Sequence, residues 1–238
     1  IDGKYHDKDD AKISVFDHGV LYGDGIFEGI RAYNGRIFRL QDHLQRLQES
    51  ANALLLKLPM SLKEIEKAVI ETVRANELKD AYIRLVVTRG VGDLGLDMRK
   101  CKNGATLFII ADRIELYPEE FYEKGLTLVT STIRQKGLDQ VTPGVKSLNY
   151  LANIMARAEA TAAGAQEAIM LNSQGHVSEC SGDNIFFIKG GKIFTPPTSA
   201  GILVGVTRQV AAVAQRLAAH AGGVVAPLAP FDFAQDRL

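Results

Sequence analysis

The sequence predicts a fold of mixed helices and strands, between the α+β and α/β classes, arranged in two halves. Strand-like runs follow one another directly in several places instead of alternating strictly with helices. Amphipathic helical stretches occur in both halves of the 238-residue chain. A charged stretch with a proline, 112–124, separates the halves. Since the length fits one large domain or two smaller ones, we expect an N-terminal domain at 1–115, a connection at 116–125 and a C-terminal domain at 126–238.

The N-terminal half opens with a predicted β-hairpin. Residues 26–33 and 36–39 flank Asn34-Gly35, a strong signal for a tight hairpin turn. The period of two places Phe27 and Gly29 on one face of the first strand. The same rule places Tyr82 and Arg84 on one face of a later strand, 81–89. The remaining predicted elements of this half are helices at 41–56 and 61–76 and a strand at 105–111.

The C-terminal half is predicted to continue the mixture. Strands are expected at 126–134, 167–171, 184–188 and 192–195, and a helix at 147–163. A glycine-containing loop at 199–205 leads into a further predicted helix at 207–220. Because no fixed-period repeat is visible, a solenoid or propeller is not expected.

Composition excludes several classes of function. The chain has 28 basic and 28 acidic residues, so its formal net charge is zero, which argues against a nucleic-acid partner. No uncharged apolar run approaches the roughly 20 residues that a membrane span needs, and the first residues lack a signal-peptide core. Two distant cysteines make a zinc site unfavourable, while a disulfide stays open. We therefore expect a cytoplasmic protein without a membrane or metal partner.

Five features are candidates for chemistry, and each has a plain structural alternative. Lys146 lies in an apolar stretch before a helix, where it is either a desolvated nucleophile or a snorkelling lysine. Glu179 is either the partner of a protonated ring nitrogen or a turn residue bonded to backbone amides. Gly205 to Thr207 open a helix, which suits a phosphate or an ordinary cap. Arg46 on its helix either binds an anion or is a solvated arginine. Arg84 in its strand either binds a carboxylate or lies on an edge or a solvent face.

Taken singly, each feature favours its structural alternative, but together they meet the needs of a pyridoxal phosphate enzyme: a Schiff-base lysine, an acid for the ring nitrogen and phosphate donors. Their order and wording resemble the class IV, fold type IV aminotransferases, also called D-amino-acid aminotransferase-like, and within them the branched-chain amino-acid aminotransferases. The resemblance covers about residues 10–225. It rests on Phe16–Arg31, His43–Leu47, Ala81–Arg84, Lys146–Leu151, Ser178–Glu179, Asn184–Phe186 and Gly205–Arg208.

The resemblance implies a role for each matching residue. Lys146 would link to the cofactor and move the proton between substrate Cα and cofactor C4′. Glu179 would pair with the pyridinium nitrogen, and Tyr150 would hydrogen-bond the phenolic oxygen O3′. The phosphate would be held by Arg46 and by the turn of Gly205, Val206 and Thr207, with Leu203 packed near the ring. The substrate pocket would use Tyr22, Phe27, Gly29, Tyr82, Arg84 and Tyr117.

The resemblance also implies substrates and assembly. The expected reaction is transamination of Leu, Ile and Val with 2-oxoglutarate by a homodimer or an assembly of dimers. Two alternatives stay within the family, a D-amino-acid aminotransferase and an aminodeoxychorismate lyase. A third is a non-enzyme that binds the cofactor weakly, because residues 227–238 do not match the family, whose members continue through a small-residue loop that binds the phosphate. We therefore expect a shortened C-terminal domain.

Overall fold

The computed structural model describes residues 1–115, 117–137, 139, 144–189 and 192–211. The chain divides into two compact units. The first comprises Ile1–Ile114 together with Val145–Asn149, and the second comprises Glu115–Gly144 and the residues from Tyr150 onward. The division between the units falls at residues 114 and 115, and Val145–Asn149 groups with the first unit rather than with the residues that flank it in the chain.

The first unit is a four-stranded antiparallel sheet covered by two helices. Its elements are α1 (His18–Tyr22), β1 (Gly25–Tyr33), β2 (Arg36–Ile37), α2 (Leu40–Ala53), α3 (Leu62–Ala75), β3 (Ala81–Thr88) and β4 (Thr106–Asp112). The strand order is β2-β1-β3-β4. The apolar core lies between one sheet face and the stripes of α2 and α3, where Ile26, Ile30, Ile83 and Leu85 are fully buried beside Leu44, Leu47, Ile65 and Val69.

The local signals of this unit act as predicted. Asn34 and Gly35 both have positive φ, which closes the β1–β2 hairpin as a tight turn. Ser61 and Glu64 bond each other's backbone N–H groups in a capping box at the start of α3. The short helix α1, capped by the Asp17 side chain, is not among the predicted elements, because five residues carry too little periodicity to reveal a helix.

In the residues that the structure describes, the second unit contains a three-stranded sheet, a two-stranded ribbon and one long helix. Its elements are α4 (Glu120–Lys124), β5 (Leu128–Arg134), α5 (Leu151–Ala162), β6 (Glu167–Leu171), β7 (Val177–Cys180), β8 (Phe187–Lys189) and β9 (Lys192–Phe194). Strands β5 and β6 are parallel, and α5 is the crossover between them. Strand β7 pairs antiparallel with β6. The helix packs Ala156 and Ala160 against Ala168 and Met170 of the sheet.

Helix α5, strand β7 and strand β8 differ clearly from the sequence prediction. Helix α5 begins at Leu151 rather than 147, because Ser147 forms a β-bridge with Ile26 in the first unit. Strand β7 is additional and carries Glu179, for which a turn was one prediction. The ribbon begins at Phe187 rather than 184.

The chain ends its described part in a helical stretch at 206–211. The remainder of the helix predicted at 207–220, and the atypical 227–238 segment, lie outside the described residues. Within the described part, no helix combines the length and the apolar character needed to cross a membrane.

Candidate active site

The first unit gathers Lys146 and four of the predicted pocket residues on one sheet face. In the β1–β3 register, Gly29 lies opposite Arg84, and Phe27 opposite Val86. The Arg84 guanidinium lies 4.4 Å from the centre of the Phe27 ring and 5.3 Å from that of Tyr82. The Lys146 ammonium lies 4.6 Å from the Phe27 ring centre. The face of the Phe27 ring therefore attracts the side-chain nitrogens of both Arg84 and Lys146.

Gly29 is required by the close approach of Tyr82. A Cβ at position 29 would lie 2.6 Å from the Tyr82 hydroxyl oxygen, which is closer than non-bonded atoms approach. Burial raises the pKa of the Tyr82 phenol, while the Arg84 charge offsets part of that rise. The phenol therefore stays neutral at physiological pH and is available as a hydrogen-bond donor.

Lys146 is held by the backbone of the segment that carries it. Its carbonyl oxygen accepts from the Phe27 N–H at 3.0 Å, and its own N–H donates to Ser50 Oγ at 3.2 Å. Next to it, Leu148 N–H donates to the Gly25 carbonyl oxygen at 2.9 Å. These bonds hold the lysine at the start of β1 and at α2. Lys146 therefore belongs to the first unit, although it follows the interdomain connection in the chain.

Arg46 forms a buried ion pair with Glu28, a partner that the sequence pattern does not indicate. Its Nε and Nη2 donate to the two oxygens of Glu28 at 2.8 and 2.6 Å, and His43 Nδ1 lies 2.7 Å from the same carboxylate. Burial alone would raise the pKa of Glu28, but the hydrogen bonds and charges of Arg46 and His43 outweigh it and lower the pKa. The pair fixes the plane of the guanidinium through a bidentate contact. The available signal was Glu28 itself, a charged residue on the core face of β1.

The second unit contains Glu179, predicted to pair with the ring nitrogen, and the Gly205 turn, predicted to hold the phosphate together with Arg46 of the first unit. Glu179 Oε2 accepts from Leu203 N at 3.0 Å and from Asn184 Nδ2 at 3.1 Å. Its Oε1 accepts from the buried Gln135 amide. An ionised carboxylate can only accept hydrogen bonds, so N–H donors are its suitable partners. Gln135 gave no signal in the sequence, and Asn184 belonged to a recognised motif without an assigned role.

Gly205 and its neighbours form the beginning of the helical stretch at 206–211. A Cβ at Gly205 would lie 2.2 Å from Asn184 Oδ1, so the turn depends on the absence of a side chain. Gln209 N–H donates to the Gly205 carbonyl oxygen at 3.1 Å, which closes the first helical turn. The N–H groups of Val206 and Thr207 therefore belong to the first turn, where helices bind anions.

Tyr150 lies at the N-cap of α5. The Lys136 ammonium lies 5.8 Å from its ring centre. Burial lowers the pKa of Lys136, and the Glu179 charge opposes that shift. Lys136 thus lies near both Tyr150, which is predicted to bond the cofactor's O3′, and Glu179, which is predicted to pair with the cofactor's ring nitrogen.

The two remaining pocket candidates have hydroxyls bonded within the chain. Tyr22 accepts from the Gly95 N–H at 2.7 Å. Tyr117 accepts from Arg157 Nη1 at 3.1 Å and donates to Glu167 at 3.3 Å. Glu167 is buried and also accepts from Ser181. Tyr117 therefore already accepts and donates within the chain, which favours contact with a substrate through its ring.

The fold and these groups define a class of enzyme, and comparison with known proteins identifies it. The model for the amino-transferase class IV family matches residues 25–222. The chain belongs to the class IV aminotransferases, which use pyridoxal phosphate.

Individual relatives are consistent with this assignment. A Methanocaldococcus jannaschii protein provisionally named branched-chain-amino-acid aminotransferase is 50% identical over 210 residues, which cover 88% of this chain and 72% of the relative. The Escherichia coli branched-chain amino acid aminotransferase structure has a TM-score of 0.84 and 32% identity, over 93% of this chain and 73% of that one. The Thermoproteus uzoniensis branched-chain aminotransferase structure with norvaline has a TM-score of 0.83 and 38% identity, over 93% and 74% of the two chains.

Proposed function

We propose that this protein catalyses the pyridoxal-phosphate-dependent transamination of branched-chain L-amino acids with 2-oxoglutarate. The observation that carries the proposal is the Lys146 ammonium 4.6 Å from the centre of the Phe27 ring, because that ring belongs to a sheet face shared with Tyr82 and Arg84. An amine beside an aromatic wall suits a substrate with an apolar side chain. Arg84 suits a carboxylate, above all the second carboxylate of glutamate or 2-oxoglutarate.

The residues present fit the cofactor. When bound, pyridoxal phosphate supplies a conjugated ring that takes up the electrons released at the substrate Cα. Glu179, whose oxygens face N–H donors, suits acceptance of a hydrogen bond from a protonated ring nitrogen. The Gly205 turn leaves no room for a side chain, and the first-turn N–H groups that follow it suit a phosphate.

We assign the following roles to the chain's own groups. Lys146 would supply the amine that links to the cofactor and, once the substrate amine has displaced it, would take up and return the proton of the substrate Cα. Tyr150 hydrogen-bonds the phenolic O3′, and Leu203 packs near the ring. Arg46, with its plane fixed by Glu28, binds the phosphate together with Gly205, Val206 and Thr207. The side chains proposed to bind the substrate are Tyr22, Phe27, Tyr82, Arg84 and Tyr117, with Gly29 leaving the space.

The first test is the near-visible absorbance of the lysine-linked cofactor. Wild-type protein with pyridoxal phosphate should develop the band, and Lys146→Ala should lack it, because the variant has no amine to link. Lys146→Arg is the matched control, since it keeps the charge over Phe27 but is not a nucleophile; it should also lack the band while remaining folded. A folded wild-type sample without the band would reject the proposal.

The second test concerns the substrate. L-leucine should convert the band to the pyridoxamine form, and D-alanine and aminodeoxychorismate should not. Conversion by D-alanine alone, or product release from aminodeoxychorismate alone, would assign the protein to another branch of the family.

We also propose a homodimer or an assembly of dimers in the cytoplasm, following the resemblance. Sedimentation velocity of the protein with and without cofactor measures the first point. A monomer at assay concentrations with full activity would contradict it.

A further inference from the structure

The side-chain amide of Asn184 donates hydrogen bonds to Glu179 and to the backbone of Leu203, two residues that we propose contact the cofactor. Its Nδ2 donates to Glu179 Oε2 at 3.1 Å and to the Leu203 carbonyl oxygen at 2.9 Å. The Leu203 N–H donates to the same Glu179 oxygen at 3.0 Å. Asn184, Glu179 and Leu203 thus form a closed ring of hydrogen bonds, in which the Asn184 side-chain nitrogen donates both of its hydrogens.

The oxygen of the same amide lies against the Gly205 turn. A Cβ at Gly205 would be 2.2 Å from Asn184 Oδ1 and 3.4 Å from its Cγ. The next contact of that Cβ, with the Arg208 Cβ at 3.5 Å, is an ordinary one. The need for glycine at 205 therefore comes from the space that the Asn184 amide occupies.

We propose that Asn184 is a positioning residue that sets two parts of the cofactor grip at once, the Glu179 carboxylate and the Gly205 turn. This inference rests on the proposed function. Asparagine suits the position because it has two donors on one compact nitrogen, and its oxygen defines the packing of the turn. Aspartate has the same shape without the donors. Gln135 serves as a comparison, because it bonds the other oxygen of Glu179.

The first experiment replaces the donors and keeps the shape. Asn184→Asp places an acceptor against Glu179 and the Leu203 carbonyl, which costs the bonds and adds repulsion. The dissociation constant for pyridoxal phosphate, from the near-visible band, should rise about ten- to a hundred-fold. The pH dependence of that band should also change, because the ring-nitrogen partner has moved.

The matched control is Asn172→Asp in the same unit. Asn172 uses its oxygen to accept from the Gln174 and His176 N–H groups, both at 3.0 Å, and aspartate keeps that role. Its dissociation constant should stay within about two-fold of wild type, on the rule for surface substitutions. If Asn184→Asp also stays within two-fold with an unchanged pH profile, the inference is overturned.

The second experiment separates the two ends of the cofactor by comparing pyridoxal phosphate with pyridoxal, which lacks the phosphate. Gln135→Ala should weaken both ligands by the same factor, because it disturbs the ring end alone. Asn184→Ala should weaken pyridoxal phosphate more than pyridoxal, because it also loosens the turn. An Asn184→Ala variant with the wild-type ratio of the two dissociation constants would show that the residue acts on the ring end only and would overturn the coupling.

The third experiment is a double-mutant cycle with Gly205→Ala. Alone, Gly205→Ala should weaken pyridoxal phosphate binding at least ten-fold, because its Cβ displaces the Asn184 amide. In an Asn184→Ala background the added methyl should cost less than about three-fold, because the space is free. Losses that multiply independently would contradict the inference.

Circular dichroism of each cofactor-free variant establishes that it is folded. If Asn184→Ala does not fold, the shape-preserving Asn184→Asp and the single Gly205→Ala decide the question. The proposed function fails separately, when wild type gives no near-visible band; the present inference fails when wild type binds and the variants bind equally.

Discussion

Glu28 shows how one buried charge organises a group of neighbours. It is fully buried on the core face of β1, yet it binds Arg46 through both oxygens and contacts His43. A buried carboxylate is costly unless it is paired and hydrogen-bonded, so the three residues depend on one another. The period of two places Glu28 on the strand face opposite Phe27 and Gly29, but it does not indicate the partner, because Arg46 lies 18 positions away on α2.

We expect Glu28→Gln to destabilise the protein by roughly 3–5 kcal/mol at pH 7, because it leaves a buried guanidinium without its counter-charge. The pKa of Glu28 is lowered in the folded state, so the stability it contributes is present above its ordinary value of 4.5 and is lost as pH falls through the folded value. The gap between variant and wild type should therefore shrink below pH 4.5. Urea unfolding across a pH range of about 3 to 7 measures this.

Glu71→Gln is the control for this variant. Glu71 forms an exposed i,i+4 pair with Lys67 at 3.7 Å, and such pairs contribute about 0.3–0.5 kcal/mol. Equal losses in the two variants would contradict the assignment of Glu28 as a structural counter-charge.

The two cysteines are expected to differ in reactivity. Both are free thiols, which resolves the disulfide left open by the sequence. Burial, with the nearby acidic groups, raises the pKa of Cys180 to about 12, and burial raises the pKa of the partly exposed Cys101. Because the thiolate is the reacting species, iodoacetamide at about pH 8 should modify Cys101 well before Cys180 in the folded protein. Peptide mass spectrometry with a denatured control measures this, and equal rates in the folded state would contradict it.

At the scale of elements, the loop after β3 depends on a close backbone approach. Gly90 has φ +94°, and a Cβ there would lie 1.9 Å from the Gly104 carbonyl oxygen. The Gly90 carbonyl oxygen also accepts from the His18 N–H at 3.0 Å. This loop therefore links β3 to the start of α1 and to the segment before β4.

We expect Gly90→Ala to cost clearly more stability than Gly104→Ala. Both positions have positive φ, which costs an alanine roughly 1–2 kcal/mol, but a Cβ at Gly104 meets no atom within 4 Å. Gly90→Ala adds overpacking against a backbone atom, worth roughly 1–3 kcal/mol more. Urea unfolding of the two variants provides the comparison, and equal midpoints would show that the loop relaxes without cost.

Long elements with strong periodicity were predictable, and short ones were not. Helices α2 and α3 and strands β1, β3 and β4 follow from local spacing, and their predicted limits lie within a few residues of those observed. Strand β7 did not, because four residues with Ser178 and Glu179 inside resemble a turn. Its burial comes from pairing with β6, which is a tertiary contact.

At the scale of the whole molecule, cofactor binding should be visible as stability. A ligand that binds only the folded state adds about 2.7 kcal/mol at roughly a hundred times its dissociation constant. Pyridoxal phosphate should therefore raise the melting temperature of wild type, and the rise should be smaller for Asn184→Asp. Differential scanning fluorimetry with a titration of the cofactor measures both, and a wild-type melting temperature independent of cofactor concentration would contradict the proposed function.

The sequence by itself determined the fold class, the long elements and the family, because these depend on local spacing and on motifs read along the chain. It also singled out Lys146, Glu179 and Gly205 as candidates. Only the tertiary structure decided which groups contact the candidate residues. Phe27 lies beside Lys146, Glu28 binds Arg46, and Gln135 and Asn184 both bond Glu179. The physical reason is that hydrogen bonds and burial act over a few ångströms between residues that are distant in the chain, so spacing along the sequence does not encode them.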